Sequence, residues 1–262
     1  MSSETVVFQL YQPFCTQGVP GWISRCMQTA RRWAEIRGFD YHFDDRLLDH
    51  IPPKFRGRTQ NIVILSDLAR LLVSRALLSR GYKRTVWIDA DVVVFDPESW
   101  VLPTDSDYYF CHELWPVPRP GGVDLEFRAN NAVMVFSEGN KFLDYYVDSC
   151  HRILAGEAEL KSWHLGVRFL TGIRSVFPLP LLNNIGMLGA PLLEDMMQGP
   201  KFLLAAYMRA MGTPLVAANC CASITDTKVG DFVVTEEIFD AVVEQCIASK
   251  GEVLNKYLRS AK

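Results

Sequence analysis

Between Thr5 and Phe95 the chain alternates apolar, β-branched runs with runs whose apolar residues recur at helical spacing, and this alternation restricts the fold more than any other feature of the sequence. "TVVFQLY" (5–11) reads as a strand, and a Pro/Gly-marked loop leads into "GWISRCMQTARRWAEIRGF", where Ile23, Met27, Ala30 and Ala34 share one helical face. "DYHFDD" reads as a second strand, "RLLDHIPPKFRGR" as loop, and "NIVILSDLARLLVSRALLSRG" as a long helix stopped by Gly81. "RTVWIDADVVVF" then reads as the next strand. A βαβα order of this kind predicts an α/β fold: a mixed, mostly parallel sheet flanked by helices, with ligands beyond the carboxyl ends of the strands.

After Pro97 the pattern loosens into an α+β half. "DYYFCHELW" and "NNAVMVF" read as strands around a loop rich in Pro and Gly (Pro116, Pro118, Pro120, Gly121, Gly122), and "GNKFLDYYVDSCHRIL" reads as a helix. "LLEDMMQGPKFLLAAYMRAMG" and "TEEIFDAVVEQCIASKGEVLNKYLRS" are the last helical stretches, the second starting at Thr235 with two glutamates in its first turn. No repeat, low-complexity tract or linker divides the 262 residues, so one domain over 1–262 is expected, in two halves of about 1–97 and 98–262.

The third strand carries two carboxylates, Asp89 and Asp91, one residue apart in an apolar run. Adjacent carboxylates repel, and desolvating either costs several kcal/mol, so the pair needs a cation, strong donors or solvent. Oxygen-only ligation with few protein ligands suits Mn2+ or Mg2+, which complete their shells with water and phosphate oxygens. The plainer alternative ends the strand at Ile88, leaves both acids as solvated turn residues, and makes "VVVF" a separate strand.

In the preceding helix, "SDLARLL" places Asp67 and Arg70 three apart, hence on one face. An arginine there can pair bidentately with a phosphate while the aspartate accepts hydrogen bonds from a base or ribose; the alternative is a surface i,i+3 ion pair worth about 0.5 kcal/mol.

An S-D-x-x-R helix (Ser66, Asp67, Arg70) about twenty residues before an apolar strand ending in D-x-D (Asp89, Asp91) resembles the GT-A glycosyltransferases, notably the sugar-binding "DXD" families of fungal mannosyltransferases and glucosylating bacterial toxins. The resemblance covers roughly residues 5 to 140. It implies a Rossmann-like GT-A fold and transfer of a hexose from a nucleoside-diphosphate sugar to a hydroxyl acceptor, a glycan or glycolipid. Residues 1–97 become the nucleotide-binding half and 98–262 the acceptor side. It further implies that Asp67 and Arg70 hold the nucleoside and phosphoryl-sugar portions, and that Asp89 and Asp91 bind ribose, sugar and metal.

"FRANNAVMVFSEGNKF" is similar to the segment following the D-x-D in those enzymes, and places Asn130 and Asn131 in the donor pocket; "MMQGPKFLLAAY" resembles their Gly-Pro turn, at Gly199 and Pro200. Arg70 and Asp91 are expected to stabilise the leaving diphosphate. An inverting enzyme needs a carboxylate base, for which Glu113, Asp124, Glu194 and Asp195 are candidates, with Asp195 taken as a catalytic residue; a retaining enzyme needs no protein base there, and the sequence does not choose between the two. A further metal ligand, if there is one, falls to Asp226 or Asp231, because the last histidine is His164.

Two alternatives stay open. "VWIDADVVVFD" also resembles the first motif of haloacid-dehalogenase phosphatases, in which Asp89 is the nucleophile and Asp91 the general acid. A non-catalytic module binding sugar or a divalent cation is the other.

Charge narrows the partners. A net charge of −3 and pI near 6.0 offer no basic field, so nucleic acid is not expected. No run of about 18 apolar residues reads as a membrane span, which leaves peripheral membrane contact. Seven cysteines without a C-x-x-C pair suggest reduced thiols in a cytoplasm.

Overall fold

The computed structural model describes residues 3–12, 18–120, 122–156 and 159–259. Its first elements follow the alternation in the sequence: β1 (Thr5–Leu10), α1 (Gly21–Arg37), β2 (Asp40–Asp44), a short 3-10 turn and α2 (Pro53–Arg56), then α3 (Ile62–Ser79) and β3 (Arg84–Ile88). Part of the loop between β1 and α1, and Gly121, lie outside the described residues. Asn61 caps α3, its side chain accepting a hydrogen bond from the Val63 amide at 3.1 Å.

The strand expected over 84–95 is two strands. β3 stops at Ile88, and after the turn at Asp89–Asp91 the chain joins a second sheet as β4 (Val92–Val94). There β4 pairs antiparallel with β9 (Ala217–Asn219), which pairs parallel with β8 (Ile185–Met187). The acids therefore sit where the chain crosses from one sheet to the other.

The main sheet has the order β2-β1-β3-β6-β5-β7, where β5 is Tyr108–Arg119, β6 Gly122–Ser137 and β7 Leu181–Leu182. β1, β2 and β3 run parallel, β6 runs against β3 and β5, and β7 is parallel to β5, so only β6 is reversed. The loop expected at 116–122 is instead mostly strand. β5 and β6 continue past the sheet as one hairpin, pairing Pro116 with Leu125 and Pro118 with Val123. Two prolines two apart put both missing N–H groups on one edge, and that edge of β5 pairs with nothing beyond Cys111.

Alternation along the strands fills two layers. Val6, Phe8, Trp87, Phe110, Met134 and Phe136 pack with α3, α4 (Lys141–Gly156) and α5 (Val167–Arg174), while Val7, Val86, Ile88, Val133 and Val135 pack with α1. A third cluster joins α1 to α6 (Ala190–Met197), α7 (Phe202–Met211), α8 (Glu236–Ala248) and α9 (Glu252–Arg259). The Gly199–Pro200 step and Gly251 split each of the last two expected helical stretches in two. A small hairpin, β10 (Lys228–Val229) with β11 (Phe232–Val233), precedes α8.

Candidate active site

The site forms where β3 ends. The Asp89 amide donates to the Ala132 carbonyl of β6 at 2.7 Å, and buried Gln9 of β1 donates its side-chain amide to the carbonyls of Ile88 and Asp89, each at 3.2 Å. Tyr41 of β2 holds the other end of that amide, donating its hydroxyl to Gln9 Oε1 at 2.7 Å. Three parallel strands thus fix the position of Asp89.

Beside it β6 is irregular. Between the pairs Tyr109↔Val135 and Cys111↔Asn130, one residue of β5 faces four of β6, 131 to 134. Such a bulge redirects side chains. Asn131 turns to α3 and donates to Asp67 Oδ1 at 2.8 Å, whereas Asn130 donates to Glu113 Oε2 at 2.5 Å and accepts from the Ala132 amide at 2.6 Å. Gly166, at the start of α5, closes over Asn131, and a Cβ there would come within 2.8 Å of the Asn131 carboxamide oxygen.

Arg70 ties these parts together. Its three nitrogens face five acceptors: the Ser66 carbonyl (3.2 Å), Ser66 Oγ (3.1 Å), the Asn131 carbonyl (3.1 Å), Asp67 Oδ1 (3.3 Å) and Asp89 Oδ1 (2.8 Å). The guanidinium also lies over the Trp87 ring, and the Trp87 indole N–H donates to Asp89 Oδ1 at 2.7 Å. Three of these contacts are hydrogen bonds and the two to carboxylates are ion pairs, so the guanidinium is held by protein groups from α3, β3 and β6. Arg70 is 5% exposed and positions the carboxylates of Asp67 and Asp89. Asp67, 3% exposed, is likewise an interior acceptor, engaged by Asn131 and Arg70.

Asp91 is held from the other sheet. Its Oδ2 accepts the Ala222 amide at 2.7 Å and its carbonyl accepts the Cys220 amide at 2.9 Å, both from the loop after β9. The solvated-turn alternative thus has the strand break right, and both acids are partly exposed while also engaged by protein donors.

Burial raises the carboxyls of Asp67, Asp91 and Glu113. Asp89 is raised to about 7 by burial, with Asp91 adding to the rise while Arg70 and the Trp87 hydrogen bond oppose it. Two carboxylates thus contact a single guanidinium and a third, Asp91, repels Asp89, a cluster short of positive charge when all are ionised. The donors reaching the strand end are carboxylate oxygens, which suits Mn2+ or Mg2+. Among the described residues no group of three or more His, Cys, Asp or Glu side chains is arranged to hold a metal. Asp226 and Asp231, both exposed around the β10–β11 hairpin, do not supply a third ligand.

The candidate bases separate clearly. Asp195 is a helix cap: its two oxygens accept the amides of Lys201 and Leu204, each at 2.8 Å, at the start of α7. Gly199 makes room for it, since a Cβ there would meet Asp195 Oδ1 at 2.4 Å. Asp124 pairs with Arg119 on the exposed hairpin at 3.0 Å, and Glu194 lies on α6. Glu113 alone adjoins the strand-end network, through Asn130. Burial raises the Cys221 thiol to about 12, the charges of Asp91 and Glu113 contributing to that rise.

Gln9, Trp87 and Cys221 are absent from the sequence-derived site. A glutamine inside "TVVFQLY" and a tryptophan two residues before Asp89, hence on its face of the strand, are the signals that point to the first two.

No protein-family model matches the sequence, and no curated protein matches it. Among solved structures, the chain is similar over 92% of its length to a glycosyltransferase involved in glycosylation of the major capsid of PBCV-1, covering 98% of that chain at a TM-score of 0.52 and 10% identity. It also aligns with the galactosyltransferase LgtC, solved in complex with donor and acceptor sugar analogues (92% and 95% covered, TM-score 0.48, 11% identity). The first likeness establishes the fold, a GT-A-like mixed α/β sheet flanked by helices.

Proposed function

We propose that this chain is a metal-dependent glycosyltransferase that moves a hexose from a nucleoside-diphosphate sugar to a hydroxyl of a glycan or glycolipid. The observation that carries the reading is the charge-deficient cluster of Asp67, Asp89, Asp91 and Arg70 at the carboxyl end of a parallel strand, in a fold shared with a named glycosyltransferase.

Asp89 and Asp91 would hold a Mn2+ or Mg2+ ion, which when bound supplies positive charge to the diphosphate oxygens. The other residues prepare that pair. Arg70, Trp87 and Gln9 fix Asp89 from behind, and the loop at Cys220–Ala222 fixes Asp91, so little reorganisation is needed when the donor binds. Asn130 orients Glu113, whose burial-raised carboxyl makes it the stronger base, and Glu113 takes the proton of the acceptor hydroxyl.

A thermal-shift series with nucleoside diphosphates and Mn2+ tests the reading: a diphosphate and metal together should raise the melting temperature more than either alone. Turnover should release nucleoside diphosphate from a sugar nucleotide. A phosphate trapped on Asp89 would favour the phosphatase alternative. Binding without release of the diphosphate under any acceptor would favour the non-catalytic module.

A further inference from the structure

The segment from 160 to 180 contains Lys161, Arg168 and Arg174 and not one acid, in a chain whose acids outnumber its Lys and Arg by 30 to 27. Among the described residues none of these three cations is paired with a carboxylate. Apolar side chains stand in solvent among them: Trp163 is 50% exposed, Val176 82% and Phe177 48%.

The surface is continuous. Phe177 lies against Phe142 of α4 with ring centres 6.4 Å apart, Phe142 against Tyr145 at 5.8 Å, and Tyr145 against Phe169 of α5 at 6.2 Å. Phe169 then lines an open groove of about 310 Å³ together with His164 and Arg168, and the Trp163 ring lies 6.4 Å from that of His164. On the flanking helix the exposed Asp144 faces Arg75 at 4.0 Å.

From this juxtaposition of exposed aromatic and aliphatic side chains with cations that face no carboxylate among the described residues, Arg168 bonding His164 and Lys161 lying over Trp163, we infer that the face formed by residues 160–180 and α4 docks on an anionic lipid bilayer. Basic side chains interspersed with Trp, Phe and Val form the pattern that settles at the headgroup boundary, where the cations meet anionic headgroups and the apolar groups enter the acyl margin. None of the described helices is long and apolar enough to cross a membrane, so this contact is peripheral. The segment that docks also places Gly166 on Asn131 and the Leu165 carbonyl on the Tyr146 hydroxyl, at 2.6 Å, so one loop joins the docking face to the strand-end cluster. Docking does not depend on the transferase reading and is tested without turnover.

The full chain is sedimented with vesicles of phosphatidylcholine alone and of phosphatidylcholine with about 30 mol % phosphatidylglycerol. Binding is expected at least about fivefold stronger to the anionic vesicles and lost at about 0.5 M salt. Tryptophan emission should shift to the blue on binding, and Trp163→Phe should remove that shift, because Trp22, Trp33, Trp87 and Trp100 are buried and Trp115 is half-buried. Lys161→Glu with Arg168→Glu and Arg174→Glu should weaken partitioning about tenfold or more with an unchanged circular dichroism spectrum. Val176→Ser with Phe177→Ser, at exposed positions, tests the apolar half should the charge variant fail to fold. Equal partitioning to both vesicles, undiminished binding by either folded variant, or capture by soluble heparin equal to that by vesicles would each overturn the inference.

Discussion

The guanidinium of Arg70 lies 4.7 Å from the centre of the Trp87 ring, and both groups bond to the same oxygen of Asp89. The strand residue two before the carboxylate and the helix residue facing it therefore act as one clamp. A cation stacked on an indole and boxed by carboxylates is desolvated on every side, so its loss leaves buried acceptors and charges without partners.

Arg70→Lys keeps the charge but cannot reproduce the forked contacts to Ser66, Asn131, Asp67 and Asp89. It is expected to destabilise the protein by about 2–3 kcal/mol, and Arg70→Ala by about 3–5 kcal/mol, read from urea unfolding without ligands. An arginine reserved for phosphate would instead leave ligand-free stability unchanged and weaken only donor binding.

Asp195→Ala should remove the acceptor of two amides at the start of α7 and cost about 1–2 kcal/mol, while leaving kcat for sugar transfer where it was. Asp195→Asn should lose less, since one oxygen remains to accept. A large fall in kcat with the melting temperature unchanged would return Asp195 to the chemistry.

The raised carboxyl of Asp89 has a consequence for pH. In the unfolded chain such a group titrates near about 3.9, and in the fold at about 7. Between these values the folded chain holds a proton that the unfolded chain has released, so stability from this group is full at low pH and drains away as pH rises to about 7. Asp67 and Asp91, also raised by burial, act in the same direction. The metal-free protein should therefore lose stability from about pH 4 to pH 7 more steeply than its Asp89→Asn variant, as denaturant midpoints across that range will show.

The alternation of strand and helix was legible because apolar spacing reports directly on which face is buried. The i,i+3 pair of Asp67 and Arg70 and the D-x-D were legible for the same reason, each being a local pattern. What they contact was not. Whether Arg70 faces phosphate or protein depends on the Asn131 carbonyl, sixty-one residues away and turned by a bulge whose register no local rule gives. Asp195 reads as a free acid near a Gly-Pro turn until Lys201 and Leu204 fold back on it. The break at Ile88 was legible only as an alternative, because β-propensity continues through "VVVF" and the change of sheet is set by pairing with Ala217–Asn219, far along the chain.

Asp91→Asn separates the structural work of the second carboxylate from its chemical work. The asparagine retains a carbonyl oxygen for the Ala222 amide, which Asp91 now holds at 2.7 Å, so the loop after β9 keeps its anchor. It also removes one of the charges that push the Asp89 carboxyl up, and the remaining acids share Arg70 under less repulsion. Without metal the variant should therefore melt no lower than the wild type. With Mn2+ and nucleoside diphosphate present, the wild type should gain stability and the variant should not, because a neutral amide is a poor ligand for a hard divalent cation. Release of nucleoside diphosphate from a sugar nucleotide should fall by orders of magnitude. A variant that unfolds would show Asp91 to be a loop anchor first, and one that turns over at the wild-type rate would move the metal and the chemistry away from the end of β3.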